Sequence, residues 1–184
     1  VAQPDKQDMR DAYCDALIAA AEQNERVLSL NCDLSGSLGT GRFRARFPER
    51  SYNLGIMEAN ACSMAAGLSV TGYVPFVHSF AVFSSRRMVD QIFLSCAYAG
   101  LNVKIIGGDA GVSAATNGGT HMAFEDLGVL RSIVGLRLFE PTDNVMVKAL
   151  IPLLASQYGV DYIRMPRRGV VKIYDEGETF IPGK

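Results

Sequence analysis

Charge of one sign, paired cysteines, a leader segment and repeats are all missing from this sequence, and each absence removes a class of function. Lysine and arginine total 18 against 19 aspartates and glutamates, a net charge of −1. No basic stripe stands out, so neither nucleic acid nor another polyanion is an expected partner. Cys14, Cys32, Cys62 and Cys96 are widely spaced and never form a C-x-x-C pair. Isolated thiols in apolar segments are most often small reduced core residues, which favours a cytoplasmic location. The chain opens on Val1 without a basic segment, an apolar run and a cleavage site, so no signal peptide is visible. The missing methionine suggests a trimmed or partial chain.

One uncharged run, residues 59–85, is long enough to resemble a membrane span. Gly72, Pro75, His78 and its serines argue for a buried segment instead, as does its change from helical to alternating period. No membrane is expected. With 184 residues and 48% apolar content, the chain suits one soluble domain with a substantial core.

In chain order, the pattern predicts a tether over 1–7, then a helix over 8–23 with Tyr13, Ala16, Leu17, Ala20 and Ala21 on one stripe. A buried strand over 27–31 ends in a polar loop. A helical segment over 43–48 and a brief strand over 51–55 lead to the helix that begins near Glu58. Beyond it come a strand over 74–80, a helix over 84–99, a strand over 103–106 and a glycine-rich loop over 107–121. So long a loop in a compact domain usually carries function. The remainder reads as helix 124–132, strand 136–139, helix 143–157 bent at Pro152, and strand 162–165. This alternation predicts an α/β fold, a three-layer αβα sandwich around a mostly parallel sheet, with ligands at the strand ends.

Glu58 is the only charge between Arg50 and Arg86. It opens a helix of very small residues, Ala59, Ala61, Cys62, Ala65, Ala66 and Gly67, thin enough for another backbone to approach closely. As a first-turn acid it complements the helix dipole, worth about 0.3–1 kcal/mol at a surface. As an acid in a dry pocket with no nearby cation it is poised to exchange a proton with a ligand. Residue chemistry alone leaves both readings open.

The stretch GIMEANACSMAAGLSVTGYVPFVHSFAVFSSRRMVDQI resembles the pyrimidine-binding domain of thiamine-diphosphate enzymes, specifically the transketolase family. It is most similar to the separately encoded C-terminal section of a split transketolase, and the resemblance runs over residues 10–173. What it implies for Glu58 is a catalytic hydrogen bond to N1′ of the cofactor's aminopyrimidine. It implies that Phe80 and Phe83 set their rings against the pyrimidine, a contact that adds about 0.5–1.5 kcal/mol beyond area burial. Without the resemblance, F-x-x-F would be two core phenylalanines. Arg86 takes the next place in that series, where many transketolases carry an aromatic residue, and Asp33 lies in the loop near the cofactor; both are cofactor-binding candidates.

The segment TNGGTHMAFEDLGVLR resembles the loop whose histidine contacts substrate near the reacting carbon, which is His121 here. The family commonly reads D-G-x-T-H, whereas this chain has Asn117-Gly118-Gly119-Thr120-His121. The acid that selects substrate hydroxyl geometry is therefore an amide. Arg10, Ser37 and Arg167 match positions that bind the sugar phosphate, a role that suits the planar fork of arginine. His78 matches no motif and is expected to be structural.

The family's G-D-G motif, followed at a distance by asparagine, is absent. The resemblance therefore implies that thiamine diphosphate and Mg2+ are held mainly by a partner, a diphosphate-binding transketolase N-terminal-section subunit, and that this chain has no metal ligands. The active site would be an interface in an obligate homo- or hetero-oligomer. The expected reaction is transfer of a two-carbon ketol unit between sugar phosphates. Residues 1–172 would form the pyrimidine-binding domain and 173–184 a tail or linker toward an absent C-terminal domain. A 2-oxo-acid dehydrogenase beta subunit or a deoxyxylulose-phosphate synthase would share the Glu58 chemistry but decarboxylate a 2-oxo acid. The SFAVFSSR corner and Arg10 with Ser37 lean toward transketolase. A non-catalytic oligomerisation module is the third reading, set against the intact Glu58, Phe80, Phe83 and His121.

Overall fold

The computed structural model describes residues 3–183; Val1 and Ala2 of the expected tether and Lys184 of the expected tail lie outside the described residues. The apolar runs VLSLN and VPFVHSF form strands in which every residue is buried, as a parallel sheet covered on both faces requires. They are β1 (Val27–Asn31) and β3 (Val74–Phe80), joined by β2 (Ser51–Asn53), β4 (Lys104–Gly108), β5 (Leu136–Phe139) and β6 (Val160–Met165). The order is β2-β1-β3-β4-β6-β5, and all of these pairings are parallel.

The helices are α1 (Met9–Gln23), α2 (Gly41–Arg46), α3 (Glu58–Val70), α4 (Ala81–Arg86), α5 (Val89–Gln91), α6 (Asp126–Leu130) and α7 (Asn144–Ser156). On one face of the sheet, Tyr13 and Leu17 of α1 and Val147 and Ile151 of α7 pack with Val27, Phe76, Ile106 and Ile163. On the other, Ala61, Cys62 and Ala65 of α3, with Met88, Ile92 and Cys96, pack with Leu30, Val77, Ile105 and Tyr162. Alternate strand residues thus feed opposite cores, which gives the expected αβα layering. No helix among the described residues is long and apolar enough to cross a membrane.

Beyond shifts of element ends by about two residues, three departures from expectation bear on the site. The single helix over 84–99 is broken: α4 starts directly from β3, stops at Arg86, and α5 runs into a π-helical segment, Ile92–Tyr98. Ser85 Oγ donates to the Ala81 carbonyl at 2.7 Å, a back-bond that competes with the helical ladder and bends it. Strand β4 extends through Gly107 and Gly108, positions that need glycine because a Cβ would collide with the Tyr162 hydroxyl or with Leu38 Cδ2. The tether is pinned: Asp5 N–H donates to Val170 O at 2.7 Å and Lys172 N–H to Gln3 O at 3.1 Å.

His78 is structural, as expected. Its Nδ1 donates to Leu30 O at 2.9 Å, which leaves Nε2 to accept from the Tyr13 hydroxyl at 2.6 Å. Burial lowers its pKa to about 4. Above the ordinary value of about 6.5 both folded and unfolded chains carry neutral imidazole, so the stabilisation is complete there. As pH falls from 6.5 to 4 only the unfolded chain gains the proton, and stability drops. Unfolding by urea at pH 4.5 should show about 2–3 kcal/mol more loss relative to pH 7 in the wild type than in His78→Gln. An equal loss in both would place the acid sensitivity elsewhere.

Candidate functional site

Strands β1, β3, β4 and β6 end at one edge of the sheet, and the loops that leave them carry most of the site. Glu58 arrives from the loop after β2 as the first residue of α3. Its side chain is only 3% exposed. Ser79 Oγ donates to Glu58 Oε1 at 3.0 Å, and Arg87 Nη1 donates to Oε1 and Oε2 at 3.1 and 3.0 Å. The dry pocket is present, but the expectation of no nearby cation is overturned. Arg87 follows the end of α4, places its Cζ 3.8 Å from the Phe83 ring centroid and reaches across to the acid. The signal was the second arginine of the pair after F-x-x-F. Arg87 sits in the break between α4 and α5.

Cys32 is a second neighbour that sequence reasoning treated as ordinary core. Its thiol pKa is pushed up to about 12, mainly by burial and further by the Glu58 charge. The thiol is therefore neutral beside the acid.

Phe80, Phe83 and His121 come together. The His121 ring lies 6.0 Å from Phe80 and 5.3 Å from Phe83, both edge-on, and the two phenylalanines are 6.2 Å apart. Thr120 Oγ1 is 2.9 Å from His121 Nδ1. An open groove of about 560 Å³ runs between Phe83, Arg86, Arg87 and the Gly119–His121 stretch. Arg86 stands at its rim, its Nε 3.2 Å from Glu125. Asn117 is exposed on the short turn Ala115–Asn117, and its side chain makes no hydrogen bond among the described residues. Asp33 has a left-handed backbone (φ 61°), and its carboxylate accepts from Asn53 Nδ2 at 2.8 Å rather than joining the rings.

The three anion-site candidates also meet. Arg10 Nη1 donates to Ser37 O at 3.3 Å, and the Arg10 backbone N–H donates to Arg167 O at 3.3 Å. The Arg167 guanidinium lies 5.5 Å from the Phe80 ring, which ties this cluster to the aromatic one. Its fork is already engaged: Nε donates to Asp109 Oδ1 at 2.9 Å and Nη2 donates to Oδ2. Asp109 is fully buried and was not singled out from the sequence.

A family model described as "Transketolase, pyrimidine binding domain" matches residues 5–171. The chain belongs to that family. Among transketolase relatives, it is 43% identical over 176 residues to a "6-deoxy-6-sulfo-D-fructose transketolase subunit" of Clostridium sp. (strain MSTE9), covering 96% of this chain and 55% of the relative. It is 40% identical over 178 residues to a "Putative transketolase C-terminal section" of Methanocaldococcus jannaschii, covering 96% and 56%. A solved structure described as "Split gene transketolase, inactive beta4 tetramer" superposes with a TM-score of 0.85 at 37% identity, over 96% of this chain and 57% of that one. The chain thus spans a little over half the length of these three chains. Among the described residues, no cluster of three histidines, cysteines or acids suited to a metal occurs.

The two partners of Glu58 differ in worth. The Ser79 hydroxyl is buried, whereas the Arg87 side chain is 47% exposed and its pairing is screened by water. Ser79→Ala should lower the free energy of unfolding by about 1 kcal/mol. Arg87→Ala should lower it by less than about 1 kcal/mol, measured by urea titration at pH 7. A larger loss for Arg87→Ala would make the guanidinium the main anchor of the acid.

Proposed function

We propose that this transketolase-family chain supplies the pyrimidine half of a thiamine diphosphate site. With a diphosphate-binding N-terminal-section subunit it would transfer a two-carbon ketol unit between sugars. The observation that carries the reading is the placement of Arg87: a planar, hydrogen-bonding guanidinium lies between the Glu58 carboxylate and the Phe83 ring. A flat aminopyrimidine needs the same two surfaces, a carboxyl at its edge and an aromatic ring on its face. The residues present therefore fit that end of the cofactor.

When bound, thiamine diphosphate supplies the carbon nucleophile that cleaves and re-forms the ketose carbon–carbon bond. The chain's own part is positional and acid–base. Glu58 holds a proton at the carboxyl edge that faces the ring nitrogen, and Ser79 fixes its Oε1. Phe80 and Phe83 wall the ring and exclude water. His121, edge-on to both, presents an imidazole to the substrate hydroxyls. For the ring to bind there, Arg87 would have to leave Glu58, which its half-exposed position permits. Asp33 and Arg86 stand farther out on the same edge, and Asn117 on the exposed loop replaces the acid that would select hydroxyl geometry.

The partner is argued from the donors this chain lacks and from its surface. Mg2+ and the diphosphate fall to the other subunit. Ile56, Met57 and Met64 are exposed beside the buried Glu58, an apolar rim suited to cover by a second chain. The four cysteines are free and buried, which supports a cytoplasmic location.

Glu58→Gln in the assembled two-chain enzyme should lower ketol transfer by about 100-fold or more, the usual scale of a lost acid–base group. The assay follows transfer from xylulose and from xylulose 5-phosphate, with thiamine diphosphate and Mg2+. A variant that folds and keeps more than about a tenth of wild-type turnover would remove Glu58 from the mechanism.

A further inference from the structure

Resting on the ketol-transfer reading, we propose that the far end of the substrate site is built for an uncharged, hydroxyl-bearing sugar end rather than for a phosphate. Asp109 is the residue that sets this preference. It follows Gly108 at the carboxyl end of β4 and is fully buried. Both of its oxygens accept from Arg167, from Nε at 2.9 Å and from Nη2. The Nε–Nη2 edge that would grip two phosphate oxygens in parallel is filled from within the protein. The Arg167 side chain is 20% exposed, and the guanidinium edge not held by Asp109 is backed by a carboxylate.

The second arginine is compensated as well. Arg10 Nη2 lies 3.6 Å from Asp8 Oδ2, and its Nη1 serves the Ser37 carbonyl at 3.3 Å. Two arginines thus stand against two aspartates, and Arg168 beside them is exposed to solvent. A phosphate dianion entering here would meet two arginines each already offset by an aspartate, and it would approach a buried carboxylate closely. Hydroxyls suit the same donors without that repulsion. Arg10 Nε is buried and without a hydrogen-bond partner among the described residues.

Asp109 sits in left-handed conformation (φ 56°), which aspartate tolerates better than most residues with a side chain, and from it both carboxylate oxygens reach Arg167.

The test uses the two-chain enzyme with thiamine diphosphate and Mg2+, comparing kcat/KM for xylulose and xylulose 5-phosphate. Calorimetric titration of the chain with inorganic phosphate gives a readout that needs no turnover. The wild type should favour the unphosphorylated sugar and show no saturable phosphate binding. Asp109→Asn, which removes the negative charge at nearly constant volume, should move the ratio toward the phosphorylated sugar by roughly tenfold or more and create phosphate binding. A wild type that prefers the phosphorylated sugar, or binds phosphate through Arg167, overturns the proposal. So does a folded Asp109→Asn whose ratio and phosphate binding are unchanged. If Asp109→Asn does not fold, the wild-type comparisons decide alone. If neither sugar reacts while phosphate binding still appears only on Asp109→Asn, the ketol-transfer reading fails and the charge assignment stands.

Discussion

Strand β3 is hydrogen-bonded in parallel to β1 on one side and β4 on the other, and the site depends on that register. Phe80 lies opposite Gly108, and Gly108 opposite Met165, so β3, β4 and β6 end level. The residues that follow, Phe83, Asp109 and Arg167, therefore emerge side by side. The missing Cβ of Gly108 admits Leu38 from the loop after β1. Leu38 then packs with Phe80, Ala81, Val82 and Ala123 in a small third core. Through that contact the loop carrying Ser37 is held against Arg10. Shifting β3 by one residue would exchange its two faces and dissolve both aromatic and charged clusters.

Buried charge is distributed by the same geometry. At the amino end of β4, Lys104 donates to Asp161 at 2.7 Å and to the carbonyls of Gln157 and Gly159, and Arg137 closes the other side of Asp161. Burial lowers the Lys104 pKa while Asp161 opposes the shift, so this pair is a fixed structural knot. Asp126, held by the Tyr162 hydroxyl and Arg164, is another. At the carboxyl edge the Arg87–Glu58 pair is less closed, since the Arg87 side chain is nearly half exposed, whereas Arg167 stays clamped to both oxygens of Asp109. A partner with one end in solvent can leave at little cost. The edge is thus where a buried acid can change partners.

Much of this was legible in the sequence. Apolar runs marked the limits of β1 and β3, whose residues are all buried, because a two-sided parallel sheet admits almost nothing else. The family resemblance joined Glu58, Phe80, Phe83 and His121 in one constellation, and the fold brings the rings together with the acid one guanidinium away. Arg87 and Asp109 were not legible. Each lies next to a residue that was read, Arg86 and Gly108, but its role is set by a partner far along the chain, Glu58 for one and Arg167 for the other. The break after Arg86 was missed for a related reason: serine back-bonding leaves no mark on hydrophobic period.

The thin helix α3 resolves what residue chemistry had left as two readings of Glu58. Its small side chains face inward. Ala61, Ala65 and Ala66 lie buried against the sheet, and Cys62 Sγ comes within 3.7 Å of Cys96 Sγ on the π-helical segment. The close approach that alanine allows is therefore made by the chain itself. It draws the helix start down onto β3 until Glu58 meets Ser79. Glu58 is consequently both a first-turn acid, favoured by the helix dipole, and a buried one, disfavoured by lost hydration. Those opposed terms need each other. Burial makes the carboxyl responsive to whatever hydrogen-bonds to it, and the dipole and Ser79 keep it in place while its partner changes. The outward face of α3, with Met57, Met64 and Val70 exposed, plays no part in that balance and stays available to another chain.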